Sequence, residues 1–215
     1  MATRKTTVGD IDPEVLRFTA GEDRAWDRAL VEADCIGTAA HVVMLSRMEV
    51  DPPVISAGEC EAVIEALKDI IRAGRAGKFR ISEQDQDVHL AVERRLTREL
   101  GDTGRRVHTG RSRNDQSAVD LRLYTKRELL ELLSETNRLA GTLLDWGRER
   151  KDVPMPGRTH MQPAMPSSLG LWASAFAEGL LDDLDLLMHV FGTNDRCPLG
   201  AAASYGVPLP LDREL

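Results

Sequence analysis

The densest chemistry in this sequence lies in the run Arg105-Arg106-Val107-His108-Thr109-Gly110-Arg111-Ser112-Arg113-Asn114-Asp115-Gln116. Arginines, hydroxyls, side-chain amides and a histidine crowd around one glycine. Arginine grips a carboxylate through two parallel hydrogen bonds, and Ser, Thr and Asn satisfy the lone pairs left over. The segment precedes a long periodic run, so it also lies at a helix N-terminus, where free N–H groups favour anions. Gly110 lets the backbone come close to a ligand. The physical reading is a carboxylate or phosphate site. The alternative is a solvated basic turn with Ser112 or Asn114 as the helix N-cap. Nucleic acid is not expected as a partner, because the segment has no aromatic residue for stacking and the chain carries a formal net charge of −7.

A second segment, Pro156-Gly157-Arg158-Thr159-His160-Met161-Gln162-Pro163-Ala164-Met165-Pro166, holds polar side chains in a proline-stiffened connection between two helices. His160 can move protons near neutral pH, or it merely makes a hydrogen bond in a helix-entry turn. A third segment, Asp85-Gln86-Asp87-Val88-His89, reads as an acidic first helical turn. His89 falls one step from the stripe residue Val88 and is expected to be partly exposed. Asp87 and His89 have no partners at ligand spacing, so no metal is expected. His41 and His189 sit within helical runs and read as structural, and His108 belongs to the basic segment without an assigned role.

The elements that must position these residues are helices. Residues up to about Thr19 read as an arm. Trp26, Leu30, Ala33, Ala40, Val43 and Met44 mark one helical face from Glu22 to about Met48, and Asp51-Pro52-Pro53 ends it. Ser56 and Glu59 form a capping box for a helix whose stripe is Val63, Ile64, Leu67, Ile70 and Ile71, stopped by Gly74 and Gly77. Ser82 and Asp85 resemble another start, followed by Val88, Val92, Leu96 and Leu100. After an expected loop, Gly101–Ser112, a stripe from Val119 to Leu144 predicts a helix of some 30 residues, about 45 Å long. That length suits a bundle shared between subunits. A last helix is expected from near Ser167, with Leu171, Trp172, Phe176, Leu180, Leu184, Leu187 and Phe191. No strand is expected.

Composition agrees with an all-α fold. Hydrophobic residues make up 42% and aromatics only 4%, so the core must be aliphatic and alanine-rich, which favours packed helices over sheets. The expected organisation is an N-terminal arm at 1–19, a helical domain at 20–112 and an incomplete central helical bundle at 113–215. Cys35, Cys60 and Cys197 are far apart and form no CxxC, which fits a reducing compartment. No apolar h-region follows the basic N-terminus, and no run of 18 apolar residues occurs. The expectation is a cytoplasmic protein that binds no membrane.

Taken together, the segments resemble the argininosuccinate lyase family, within the fumarase/aspartase superfamily. The resemblance rests on Asp87-Val88-His89, on the nonapeptide His108–Gln116, on Pro156–Pro163, on Pro198-Leu199-Gly200 with Asp212-Arg213-Glu214, and on Trp26-Asp27-Arg28 with Asp34. It runs from about Phe18 to the last residue. It implies a helical domain followed by a long-helix bundle of the fumarase/aspartase type, no cofactor, and a β-elimination that splits argininosuccinate into arginine and fumarate. Asn114 and Thr159 would contact substrate, His160 would take part in proton transfer, and Ser112, Arg113, Thr109 and Gln162 would lie with them. His89 would sit at the edge of the same site. The chain departs from the family where Asp23 aligns with a substrate-contacting serine, since an acid faces a substrate carboxylate poorly. The resemblance further implies a Gly-Ser-Ser loop beyond residue 215 and a homotetramer, so the chain reads as the N-terminal portion of such an enzyme. The other readings are a superfamily lyase acting on another N-substituted aspartate, and a crystallin-like structural module.

Overall fold

A computed structural model describes residues 12–82, 85–200 and 202–214, and its element order follows the caps and breakers of the sequence. Helix α1 (Pro13–Ala20) starts at Asp12, whose carboxylate accepts the N–H groups of Glu14 and Val15. Part of the expected arm is therefore helical, and its first eleven residues lie outside the described residues. Helix α2 (Asp23–Trp26), a 3₁₀ turn (Asp27–Leu30) and α3 (Val31–Arg47) form the run expected from Glu22. The buried face differs from the expected one. Cys35, Val42 and Leu45 are fully buried, whereas Trp26 and Ala40 are exposed. The 3₁₀ turn, with about three residues per turn, shifts the phase of the stripe.

Helix α4 (Ala57–Arg75) opens on the expected capping box, with both reciprocal bonds between Ser56 and Glu59 in place. Those bonds, with Thr103 and Arg106, hold the Glu59 carboxyl down to about 2. Helix α5 (Val88–Leu100) begins later than expected. Asp87 is its N-cap, accepting the Leu90 N–H at 2.8 Å, while Ser82 and Asp85 close a separate turn through the Ser82 N–H at 2.6 Å. A short helix, α6 (Asp102–Arg106), occupies part of the expected loop. Helix α7 (Arg113–Glu149) has 37 residues, about 55 Å at the usual helical rise. Its start is fastened reciprocally, since the Ser112 hydroxyl accepts the Asp115 N–H at 3.2 Å and the Asp115 carboxylate accepts the Ser112 N–H at 2.8 Å.

The fold is mostly helical, as expected, with one correction. The segment read as a stiff connection is an antiparallel hairpin of β1 (Pro154–Thr159) and β2 (Gln162–Ser168), and it feeds α8 (Leu169–Asn194). Both strands of a two-stranded ribbon are edges, so prolines fit where no ladder N–H is needed. The register shifts between Pro156 and Arg158. A side chain at Gly157 would meet the Met165 carbonyl oxygen at 2.6 Å, so the ribbon closes only on glycine there.

Two compact units result, Met1–Tyr124 with Cys197–Leu215, and Thr125–Arg196. The expected division at residue 113 falls at the start of α7, whereas the units divide within that helix. In the first unit, Val42, Leu45, Ile55, Val63, Leu67, Ile70, Val92 and Leu96 form a core built from α3, α4 and α5 and the segments joining them. In the second, small residues set the packing: Gly147 lies against Gly170 and Ala173, with Ala173 and Ala177 fully buried. Larger apolar side chains on α7 and α8 stay outside, with Leu171 65% and Phe176 56% exposed. The α8 stripe is thus only partly covered.

Leu67→Ala is expected to lower stability by about 2–5 kcal/mol, through lost burial and a residual cavity. Ser56→Ala is expected to cost about 1 kcal/mol through loss of the cap. Denaturant unfolding of both variants checks the pair, and equal midpoints for the two would contradict this placement of the core.

Candidate functional site

The nonapeptide divides its side chains between the interior and the surface. Arg111 is buried: it donates to Gln116 Oε1, to the Val107 carbonyl at 3.3 Å and to the Thr38 hydroxyl at 3.5 Å. Arg106, at the end of α6, is held by Glu59, by the Val54 carbonyl and by Asp102 at 3.1 Å. These two arginines serve the fold rather than an anion. Arg113 is exposed and is held by Asp87, with the Gln86 amide oxygen at 3.4 Å. Asn114 is exposed on the first turn of α7, and Ser112 is half-buried as its cap. The half-buried Thr109 donates its hydroxyl hydrogen to the Arg106 carbonyl at 2.7 Å.

Beneath this segment lies a buried polar cluster. His89 is 3% exposed, not partly exposed as its place beside Val88 suggested. Its Nδ1 lies 2.9 Å from Asp34 Oδ2, and its Nε2 lies 3.0 Å from His108 Nδ1. A histidine off the apolar stripe is buried here because a carboxylate from α3 and a second imidazole satisfy both of its nitrogens. Gln116 donates to Asp120 Oδ1 at 3.1 Å and to the Asp34 carbonyl at 3.2 Å. Burial and the neighbouring Asp34 charge raise the Asp120 carboxyl well above the usual carboxylate range. Burial, His89 and Arg111 lower His108 to about 4. His41, buried on α3, lies 2.8 Å from the Thr109 carbonyl through Nε2, and burial lowers it to about 3. It braces the segment, in keeping with a structural role. The sequence does not mark Asp34, Thr38, His41, Gln116 and Asp120 as one cluster, although it carries a signal. Steps of four and three on α3, and of four on α7, place polar residues where a buried face would run.

Thr159, His160 and Gln162 surround the hairpin turn of the second unit, and all three are exposed. His160 and Met161 both adopt left-handed backbone, at φ 49° and 58°. A two-residue hairpin turn of this kind normally takes Asn-Gly, and side chains there cost about 1–2 kcal/mol each. Such strain gathers where a side chain must be presented at a fixed point. His89, Thr109, Ser112, Arg113 and Asn114 belong to the first unit. Asp23, exposed at the start of α2, belongs there too, and no hydrogen bond links it to them.

Known proteins supply the class. A family model described as Lyase matches residues 19–215, and the chain belongs to that lyase family. Argininosuccinate lyase of Phocaeicola vulgatus is 46% identical over 95% of this chain, which covers 45% of that protein. Argininosuccinate lyase of Sorangium cellulosum is 44% identical over 95% of this chain, covering 47% of that protein. The chain thus spans less than half the length of these relatives. Among solved structures, an EDDS lyase variant with bound fumarate matches at a TM-score of 0.68 and 25% identity, over 95% of this chain and 40% of that one. A fumarate lyase:delta crystallin from Brucella melitensis, bound to cobalt, matches in fold at a TM-score of 0.73 and 20% identity, over 99% of this chain and 52% of that one. The resemblance to argininosuccinate lyases seen in the sequence is borne out.

Two outcomes are expected. His41 and His108 are held neutral down to about 3 and about 4, whereas the unfolded chain protonates both near 6.5. The unfolded state therefore binds more protons as pH falls from 6.5 to 4, and stability drops across that window. Asp120, which keeps its proton in the fold, acts with the opposite sign but as one group against two. A thermal midpoint that rises between pH 6.5 and 4 would contradict the buried histidine placement. Separately, Met161→Gly is expected to raise stability by about 1 kcal/mol by releasing the left-handed strain, and a loss in denaturant unfolding would show that the turn is unstrained.

Proposed function

We propose that this chain carries the N-terminal substrate-handling segments of an argininosuccinate lyase, a carbon–nitrogen lyase. The single observation that carries this is the pairing of Ser112 and Asn114, presented at the start of α7, with relatives of that name over nearly the whole chain. In the reaction, a base removes a proton from the carbon next to a carboxylate of argininosuccinate. The electron pair passes into the carboxylate as an enediolate-like carbanion. It then returns to form the double bond of fumarate as the C–N bond breaks, and the guanidino nitrogen leaves with a proton as arginine. A carboxylate that takes on a second negative charge needs preorganised donors, each worth about 10²–10³ in rate. Ser112, Arg113 and Asn114 have the chemistry for this. His160 suits proton transfer, with Thr159 and Gln162 beside it as substrate contacts.

The same reading makes the whole enzyme a cytoplasmic homotetramer. Three observations support it. Cys35, Cys60 and Cys197 are free thiols. The run Asp23–Arg47 is long and apolar enough to cross a membrane, yet half of its apolar 18-residue stretch is buried, and it carries Asp34, Thr38 and His41 inside the first unit. Apolar side chains on α7 and α8 are left uncovered, including Leu130, Leu132 and Leu139.

The first test is fumarate formation from argininosuccinate, read by ultraviolet absorbance, with this chain combined with the C-terminal half of a relative. Fumarate release is expected, and its absence with a well-folded complex would favour another N-substituted aspartate, found by a substrate panel. In the active assembly, Asn114→Ala and His160→Ala are each expected to lower kcat/KM by at least about 10²-fold with an unchanged helical signal. Loss of helix along with activity would make those residues structural. Sedimentation of the chain alone is expected to show self-association that rises with concentration, and a stable monomer that binds no hydrophobic dye would count against the tetramer.

A further inference from the structure

The buried cluster contains more acceptors than its visible donors satisfy. Asp34 and Asp120, 0% and 1% exposed, lie together with the single guanidinium of Arg111. Asp34 Oδ1 is buried and meets no N–H or hydroxyl donor, although the Asp120 carboxyl lies in hydrogen-bonding contact with Asp34. With His89 neutral, two ionised carboxylates against one cation would leave a buried negative charge unbalanced and two oxygens repelling each other. A proton on one of them turns the repulsion into an O–H···O⁻ bond. Asp34 keeps the charge, because it acts on Arg111 more strongly than Asp120 does and also meets the His89 imidazole at 2.9 Å, whereas Asp120 meets only a neutral amide. Arg111 has only donors, so Gln116 must turn Oε1 towards it and its amide N–H towards Asp120 Oδ1. Asp120 Oδ1 is therefore an acceptor, and a proton on Asp120 sits on its other oxygen. Asp34 in turn lies 2.9 Å from His89 Nδ1 and, as the carboxylate, accepts from both sides. His89 Nε2, bare when Nδ1 carries the hydrogen, can only accept, so His108 Nδ1 must donate across the 3.0 Å contact. His108 Nε2 then has no partner among the described residues. The other titratable neighbours fit: Cys35 is pushed up by burial and stays a thiol, His41 stays neutral, and Asp115 is engaged with the Ser112 N–H.

We propose that Asp120, Asp34, His89 and His108 form one proton-ordered chain, in which Asp120 is the acid of a buried acid–carboxylate pair and both histidines carry hydrogen on Nδ1, so that His108, the first residue of the donor-rich nonapeptide, has a bare Nε2 lone pair. Asp120, Asp34 and His89 are positioning residues for that lone pair. Only its use, accepting an N–H or a proton from substrate, rests on the lyase reading; the proton order does not.

Two-bond proton–nitrogen correlation of the ¹⁵N-labelled chain at neutral pH reads the tautomers directly. Nδ1–H tautomers are expected for His89 and His108, and an Nε2–H tautomer or an imidazolium at either would overturn the proposal. Infrared spectroscopy is expected to show the carbonyl stretch of a protonated carboxylic acid at neutral pH. In Asp120→Asn that band should be lost while both tautomers are retained, because the new amide accepts from Gln116 and donates to Asp34 in the same directions. Absence of the band from the parent chain, its persistence in the variant, or a tautomer flip in a folded variant would each refute the order. If the variant does not fold, the parent's tautomers and band still decide. None of these readouts uses substrate, so their failure and that of the lyase reading remain separable.

Discussion

A guanidinium sealed inside a helical core dictates its surroundings. Arg111 is 6% exposed and cannot shed its charge at neutral pH, since even with burial lowering it the group stays protonated up to about 10. Removing such an ion from water costs several kcal/mol unless charge and hydrogen bonds compensate. The compensation comes from Asp34 and Thr38 on α3, from Gln116 on α7, and from the Val107 carbonyl. Helices α3 and α7 are thereby locked in register, and α5 joins through His89. Gly37 on α3 shows how close the approach is, since a side chain there would meet Val119 at 3.0 Å and Gln116 at 3.2 Å.

This explains how one short segment both holds the fold and presents polar side chains to solvent. Arg111 and Gln116 point inwards and are spent on the cluster. Arg113 and Asn114, between them, point outwards from a backbone that cannot drift. The chain near the C-terminal end adds a further brace: the Ala203 N–H donates to the Gly110 carbonyl at 2.9 Å, and Leu211 and Val207 lie against Gly110, whose φ of 84° suits glycine. Asp87 serves two masters, with one oxygen capping α5 and the other holding Arg113. The position of the one cation left at the surface of the nonapeptide's helical end is thus tied to the start of a neighbouring helix.

Apolar periodicity was enough to read α4, α5, α7 and α8, because Val63, Leu67 and Ile70, or Val88, Val92 and Leu96, recur at helical spacing and are buried. The capping box at Ser56 was legible because it is local. What escaped is what periodicity of apolar residues does not encode. Trp26 fell on the expected face but precedes a 3₁₀ turn. The hairpin was hidden by Pro154, Pro156, Pro163 and Pro166, which read as breakers, and by His160-Met161, which is not a turn sequence. His89 was misplaced because its burial depends on Asp34, 55 residues away. The candidate site residues are legible as motifs, while the polar partners beneath them are not, since each looks unremarkable until a distant helix supplies its counterpart.

Exposure limits what these residues can do unaided. A hydrogen bond aimed at a developing oxyanion is worth about 10²–10³ in rate when water is excluded and the donor needs no reorganisation. Asn114, Arg113, Thr159, His160 and Gln162 all stand open to solvent, where water competes for each and the surrounding dielectric weakens every charge. The backbone under them is already fixed, by the buried cluster for the nonapeptide and by the strained turn for the hairpin. The apolar side chains on α7 and α8 are likewise open to solvent. Burying them against further protein gains about 25 cal/mol for each Å² removed from water. Association that buries such surface also removes water from the polar side chains at its margin.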